Sequence, residues 1–126
     1  MIGDTRTVVV LWTGHRAGPW VCRSLRAAGW NVVPAHPHDE GRGRSTAAWR
    51  PRRVPSTGAP EALLASLRAL CRETGARAVM PVDEDGVRLL AGWRDALGAA
   101  RVVAPTPAQW AALCDKAILR ATARVA

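Results

Sequence analysis

Thr7-Val8-Val9-Val10-Leu11-Trp12 is an unbroken run of β-branched and apolar residues, and it decides the fold of this 126-residue chain. A strand this apolar has no polar face for solvent, which is typical of a central strand in a parallel sheet covered on both sides. The run leads into the turn Thr13-Gly14-His15-Arg16-Ala17-Gly18-Pro19, where a helical pattern begins. Ligands of such sheets bind beyond the carboxyl ends of the strands, so this turn is the first candidate site.

The composition is typical of one folded domain. Hydrophobic residues make up 48% of the chain, and no apolar run is long enough to span a membrane. The amino terminus lacks the layout of a signal peptide, so we expect a cytoplasmic protein with no membrane partner. The cysteines are three in number, far apart and set in apolar helical patterns, which favours buried free thiols at Cys22, Cys71 and Cys114.

The chain is basic, with a net charge of +8. Its cations are spread over most of the sequence, with one local cluster at Arg42, Arg44, Arg50, Arg52 and Arg53. A solvated basic face is the simpler interpretation of this cluster, and contact with phosphate or an acidic partner is the alternative. No recognition helix or stacking aromatic platform accompanies it, which argues against a nucleic-acid partner.

Periodicity and turn residues predict the order β-α-β-(loop)-α-β-α-β-α. The predicted strands are Thr7–Trp12, Asn31–Ala35, a short edge strand within Trp49–Val54, Ala78–Val82 and Arg101–Ala104. The predicted helices are Pro19–Ala28, Pro60–Thr74, Glu84–Leu97, a short helix capped by Thr106, and a helix that begins at Lys116 and is capped by Asp115. In the first of these helices, Val21, Leu25 and Ala28 form the predicted buried stripe. We therefore predict an α/β fold, an open parallel sheet of four to five strands with helices on both faces.

The first turn does not match a dinucleotide-binding site. That site needs the spacing G-x-G-x-x-G and an acidic residue at the end of the second strand. Here Gly14 and Gly18 are four residues apart, and the second strand ends in Ala35-His36. A tight strand-to-helix turn explains both glycines. The sequence also contains no Walker phosphate loop and no spacing typical of a set of metal ligands.

The segment Pro81-Val82-Asp83-Glu84-Asp85 places three carboxylates after a buried strand. This position is where an α/β sheet presents groups that contact ligands. The acidic start of a helix, matched to the helix dipole, also explains all three. Both interpretations stay open for Glu84, and the structural one is favoured for Asp85.

The chain has a single lysine, Lys116, which follows Asp115 at a predicted helix start. An ammonium group is a compact charge that suits a phosphate. On spacing alone, a surface lysine beside a helix cap is the favoured interpretation.

Taken together, an ordered set of segments resembles the pre-ATP-grasp domain, the Rossmann-like amino-terminal domain of ATP-grasp ligases. That group includes carbamoyl-phosphate synthase, biotin carboxylase and many carboxylate–amine ligases. The resemblance is carried by Val8 to Gly14 with Arg16, Ala27 to Val33, Arg53 to Pro55, Val79 to Asp85, and Ala112 to Lys116. One departure is the end of the second strand, which is often acidic in the family and is Ala35-His36-Pro37 here.

The resemblance implies roles for particular residues. Residues 1–114 would form the pre-ATP-grasp domain, and residues 115–126 would begin the following ATP-grasp domain. Lys116 would lie against ATP phosphates, while Glu84 and, less firmly, Asp83 would border the substrate cleft. The first turn, from Gly14 to Arg16, would face the same cleft.

The family reaction implies ATP, magnesium and a small carboxylate substrate. ATP phosphorylates the carboxylate to an acyl phosphate, and an amine, a thiol or another nucleophile then displaces the phosphate. The magnesium ligands belong to later domains, so we expect an amino-terminal fragment that is inactive alone. Its missing carboxyl-terminal domains would pack on exposed apolar surface near Trp110, Leu113 and Ile118. The alternative is a stand-alone Rossmann-like module that binds a small ligand or a protein.

Overall fold

The computed structural model describes residues 6–11, 16–37 and 51–125. It contains a five-stranded sheet in the order β3-β2-β1-β4-β5, and every neighbouring pair is parallel. The strands are β1 Thr7–Leu11, β2 Asn31–Pro37, β3 Arg52–Val54, β4 Ala78–Pro81 and β5 Arg101–Val102. The helices are α1 Gly18–Ala27, α2 Pro60–Thr74, α3 Glu84–Gly92, α4 Pro107–Cys114 and α5 Lys116–Val125. The predicted α/β class and open parallel sheet are confirmed.

The strand β1 is the centre of the sheet, and all five of its residues are buried. Its side chains alternate between two cores, as the pleat of a strand requires. Val9 and Leu11 belong to the core that α2 and α3 cover, whereas Val8 and Val10 pack with Cys22 of α1. Helices therefore cover both faces of the sheet, as the apolar run predicted.

The helix α2 has the predicted bounds and a clear reason for each. Pro60 begins it, at a position where the missing N–H group would have no helical partner. Gly75 ends it in the left-handed conformation, with φ of +65°, and its N–H group donates to the Cys71 carbonyl. On the outer side, Arg52 of β3 donates from Nη2 to both carboxylate oxygens of Glu73 at 2.7 Å. This ion pair ties the edge strand to α2.

The predicted bounds were off by one residue at α1 and at the end of β4, and by two or more residues at three other places. The third predicted helix ends at Gly92 rather than Leu97, because glycine is a poor helix former and Trp93 is the capping residue. The second strand extends to Pro37, because its last three residues pair with β3. The strand β5 ends at Val102, although the Val103 N–H group still donates to the Val79 carbonyl at 2.8 Å.

Two burial predictions were also wrong. Ala28 is exposed because α1 ends at Ala27; the buried positions on that helix are Gly18 and Cys22, and Val21 and Leu25 are half-buried. Cys114 is exposed because α4 has no fully buried residue. Cys22 and Cys71 are buried free thiols, as predicted. Burial raises the pKa of both thiols, and for Cys22 the nearby Arg26 guanidinium opposes part of that rise.

Within the described ranges, no helix combines the length and the apolar character that crossing a membrane requires.

Candidate functional site

The candidate site lies at the carboxyl edge of the sheet, where β1 and β4 end side by side. Leu11 is in register with Pro81, and the Val82 N–H group donates to the Leu11 carbonyl at 3.2 Å. The chain leaving β1 toward the first turn therefore starts beside the chain leaving β4 toward α3. This edge is where ligands of open α/β sheets bind.

Asp83 holds the start of α3. Its backbone is extended, and its Oδ1 atom accepts a hydrogen bond of 2.9 Å from the Gly86 N–H group. The carboxylate thus satisfies one of the amides that a helix start leaves without a partner. Helix capping therefore explains Asp83 at this position. Its expected place at a substrate cleft stays a prediction.

Glu84 and Asp85 differ in their partners although they are neighbours on α3. The Oδ1 atom of Asp85 accepts a hydrogen bond of 2.7 Å from Arg88, in an exposed pair one turn apart. Glu84 has no hydrogen-bond or ion-pair partner among the residues that the structure describes. Of the three carboxylates in this segment, Glu84 is therefore the one available to a ligand.

A groove of about 540 Å³ runs between the start of α3 and α4. It is lined by Val82, Asp83, Glu84, Asp85, Val87 and Trp110. We call it the carboxyl-edge groove. The half-buried Trp110 adds an aromatic side chain to the lining that holds the carboxylates. An aromatic face beside a free carboxylate can hold a ligand with an apolar body and a positive group.

The first turn is described only in part. Gly14 lies outside the described residues, so its predicted place on this edge stays a prediction. Arg16 is exposed in the turn that precedes α1, and no described contact joins it to Glu84. The structure thus brings the strand ends together without showing the contacts of the turn itself.

Lys116 is exposed at the first position of α5 and does not line the carboxyl-edge groove. The predicted cap of this helix is confirmed, because Asp115 Oδ1 accepts hydrogen bonds from the amides of Ala117 at 2.8 Å and Ile118 at 3.2 Å. Within the described part of the chain the ammonium group has no ion-pair partner, so it is available to an anion. Its contact with ATP stays a prediction.

Two residues of this site were missed from the sequence. Trp110 was predicted only as part of an apolar surface, because which helix faces the acidic segment depends on the packing of α4 on α3. Gly86 was not singled out, yet a Cβ atom there would lie 3.0 Å from Asp83 Oδ1 and 3.2 Å from Pro81 Cβ. A glycine three residues after a helix-capping aspartate is the signal that could have found it.

Two of the three carboxylates at this edge are already bound within the chain. Asp83 caps α3 and Asp85 pairs with Arg88, which leaves Glu84 as the available donor. Magnesium in nucleotide sites is commonly held by one or two carboxylates together with phosphate oxygens and water. No group of three or more metal-ligating side chains lies together in residues 6–11, 16–37 and 51–125.

The fold has solved relatives. One is described as the biotin carboxylase domain of a single-chain bacterial carboxylase, with a TM-score of 0.61 and 20% sequence identity over 95% of this chain. Another is the biotin carboxylase subunit of pyruvate carboxylase, with a TM-score of 0.62 and 16% identity over 92% of this chain. This chain has the fold of part of a biotin carboxylase. The likeness to ATP-grasp enzymes predicted from the sequence is confirmed for the fold.

The match covers 29% of the bacterial carboxylase domain and 26% of the pyruvate carboxylase subunit. The 126 residues therefore span less than a third of each solved relative. No protein-family model and no curated protein matches the sequence itself. At this level of identity the likeness describes the fold alone.

Proposed function

We propose that these residues form the substrate-side domain of an ATP-grasp ligase that joins a carboxylate to an amine or a thiol. The observation that carries the proposal is the shared fold, which extends over 92–95% of the chain and has biotin carboxylases as its solved relatives. In this proposal residues 1–114 are the pre-ATP-grasp domain and residues 115–126 begin the ATP-grasp domain.

The reaction proposed for the whole enzyme begins when a carboxylate oxygen attacks the γ-phosphorus of ATP. The bond to ADP breaks, and an acyl phosphate forms. The nucleophile then attacks the acyl carbon, and phosphate leaves. Magnesium bound elsewhere in the enzyme would neutralise charge on the phosphates.

The chain's own residues support two contacts in this scheme. Glu84 would hold a positively charged or hydrogen-bond-donating part of the substrates, because its carboxylate is exposed and available in the carboxyl-edge groove. Lys116 would bind a phosphate of ATP, because its ammonium group is exposed at the start of α5. Asp83 would act indirectly, since its carboxylate fixes the start of the helix that carries Glu84.

The apolar surface of α4 and α5 supports the presence of a further domain. Leu113 is 51% exposed, Ile118 48% and Leu119 41%, and these three side chains line one groove between the two helices. Exposed apolar side chains that adjoin one another commonly mark an interface. The same surface would serve a stand-alone protein-binding module, which is the second candidate function.

Release of ADP by residues 1–126 alone distinguishes these candidates from an autonomous enzyme. We expect no ADP above background in the presence of ATP, magnesium and a panel of carboxylates. The coding sequence next to these residues should then encode a glycine-rich phosphate loop with paired Glu and Asn magnesium ligands. ADP release by residues 1–126 alone, or neighbouring sequence without an ATP-grasp domain, would contradict the proposal.

A further inference from the structure

A second concave site lies at the amino edge of the sheet, away from the carboxyl-edge groove. Its volume is about 310 Å³, which is near the lower end of small-molecule sites, roughly 300–1,000 Å³. It is lined by Arg68, Cys71, Arg72, Gly75, Ala76, Leu97, Gly98, Ala99 and Ala100. We call it the amino-edge pocket. The turns before β4 and β5 form its floor, since they lead directly into Ala78 and Arg101.

The buried part of the amino-edge pocket's lining is apolar, and its two charged side chains, Arg68 and Arg72, are exposed and cationic. Ala76, Leu97 and Ala100 are buried with at most 6% of their surface exposed. Arg68 and Arg72 are one helical turn apart on α2, so their side chains lie on the same face. Burial raises the pKa of the Cys71 thiol, which therefore stays neutral and adds no negative charge.

No described carboxylate neutralises the two arginines. The nearest acidic residue along α2, Glu73, is bound to Arg52 through both of its oxygens. Of the described acidic side chains, none lines the pocket. Neither guanidinium has a hydrogen-bond or ion-pair partner within residues 6–11, 16–37 and 51–125.

The helix dipole explains only one of the two arginines. Arg72 lies in the last turn of α2, where a cation interacts favourably with the negative end of the helix. Arg68 lies a turn earlier, and the effect of the dipole falls off within the last turn. Two like charges at this spacing repel each other and slightly destabilise a helix. An anion bound between the two guanidiniums would relieve this repulsion.

We propose that the amino-edge pocket binds a small anionic molecule, whose phosphate or carboxylate group is held by Arg68 and Arg72 and whose compact apolar part contacts Leu97 and Ala76. A guanidinium presents a planar fork of donors that matches both phosphate and carboxylate oxygens. Both guanidiniums are exposed at the mouth of the pocket, where an anion can reach them from solvent. The proposal does not depend on the ligase function proposed above.

Calorimetric titration of the 126-residue chain with sodium pyrophosphate and with sodium citrate tests the proposal. We expect saturable binding of at least one probe, and the preferred probe identifies the phosphate or the carboxylate class. Arg68→Ala with Arg72→Ala should weaken this binding by about tenfold or more, because charge-assisted hydrogen bonds are lost. Ala99→Trp should weaken it as well, since it fills the pocket without changing the charge.

The matched control is Arg120→Ala with Arg124→Ala. These two arginines are also one turn apart on an exposed helix, and their removal lowers the net charge by the same two units. We expect the affinity to stay within about twofold of the unmodified chain. No saturable binding of either probe, or equal losses in the two arginine pairs, would overturn the proposal.

Discussion

The Oδ1 atom of Asp83 lies 2.9 Å from the amide nitrogen of Gly86, and this hydrogen bond fixes the first turn of α3 against the end of β4. The turn can approach so closely because residue 86 has no side chain. A Cβ atom at that position would meet Asp83 Oδ1, Pro81 Cβ and, at 3.5 Å, Leu11 Cδ2. The glycine thus lets the carboxyl ends of β1 and β4 and the start of α3 come together at one place.

Replacing Gly86 by alanine should lower the free energy of unfolding by about 1–3 kcal/mol, because the added methyl group overpacks this junction. Chemical denaturation monitored by circular dichroism measures the change. Gly92→Ala is the matched control in the same helix, since a Cβ atom there meets no other atom within 4 Å. The control should be neutral or stabilising by up to about 1 kcal/mol, as alanine favours a helix over glycine. Equal effects of the two substitutions would contradict the close approach.

Much of the fold could be predicted because a few local signals are strong. The apolar run of β1 predicted a central parallel strand, and the spacing of Leu63, Leu67 and Leu70 predicted α2 with correct bounds. Thr106 and Asp115 were found as caps because their side chains act on amides two or three residues away.

Features that depend on distant residues could not be predicted in this way. The last residues of β2 join the sheet only because β3 pairs with them, after a long intervening segment. Trp110 borders the carboxyl-edge groove only because α4 packs on α3. For the same reason, nothing in the local pattern of Cys114 reveals that its side chain is exposed.

Asp115→Ala should increase amide hydrogen exchange throughout α5 while leaving exchange in β1 unchanged. The substitution removes the oxygen that accepts from Ala117 and Ile118, and a lost cap costs roughly 0.5–2 kcal/mol. The effect should be local, because α5 packs mainly on α4 and its described side chains are exposed. Asp95→Ala removes a similar charge without removing a helix cap and should leave α5 unchanged. Faster exchange in β1 would show that α5 is part of the core.

Thiol labelling of the native chain should modify Cys114 rapidly and Cys22 and Cys71 slowly. The first is exposed and the other two are buried. Modification with a chromogenic disulfide reagent, followed by mass spectrometry, shows the order in which the three thiols react. In denaturant all three should react at similar rates. Rapid native labelling of Cys22 would contradict its complete burial between α1 and the sheet.

The free energy of unfolding should fall as the pH rises above about 9. Burial raises the pKa of Cys22 and Cys71 above the ordinary value of 9.0, so the unfolded thiols lose their protons first. Their contribution to stability is therefore complete below that pH and is lost as the pH rises through the folded values. Denaturant titrations between pH 7 and pH 11 measure how steeply the free energy of unfolding falls with pH. The variant Cys22→Ala with Cys71→Ala should be less stable at pH 7 but should show a smaller slope, and an unchanged slope would assign the loss to other groups.

The most direct measurement is carboxylate-dependent ADP release by these residues expressed together with the neighbouring ATP-grasp coding sequence that the proposal requires. Glu84→Gln should lower kcat/KM by about 10- to 100-fold, since it removes a charged contact in the carboxyl-edge groove. Asp85→Asn, one residue further along α3, should leave kcat/KM within about twofold because that carboxylate is bound to Arg88. Equal activities for the unmodified protein and Glu84→Gln, or ADP release that no carboxylate stimulates, would contradict the proposed ligase function.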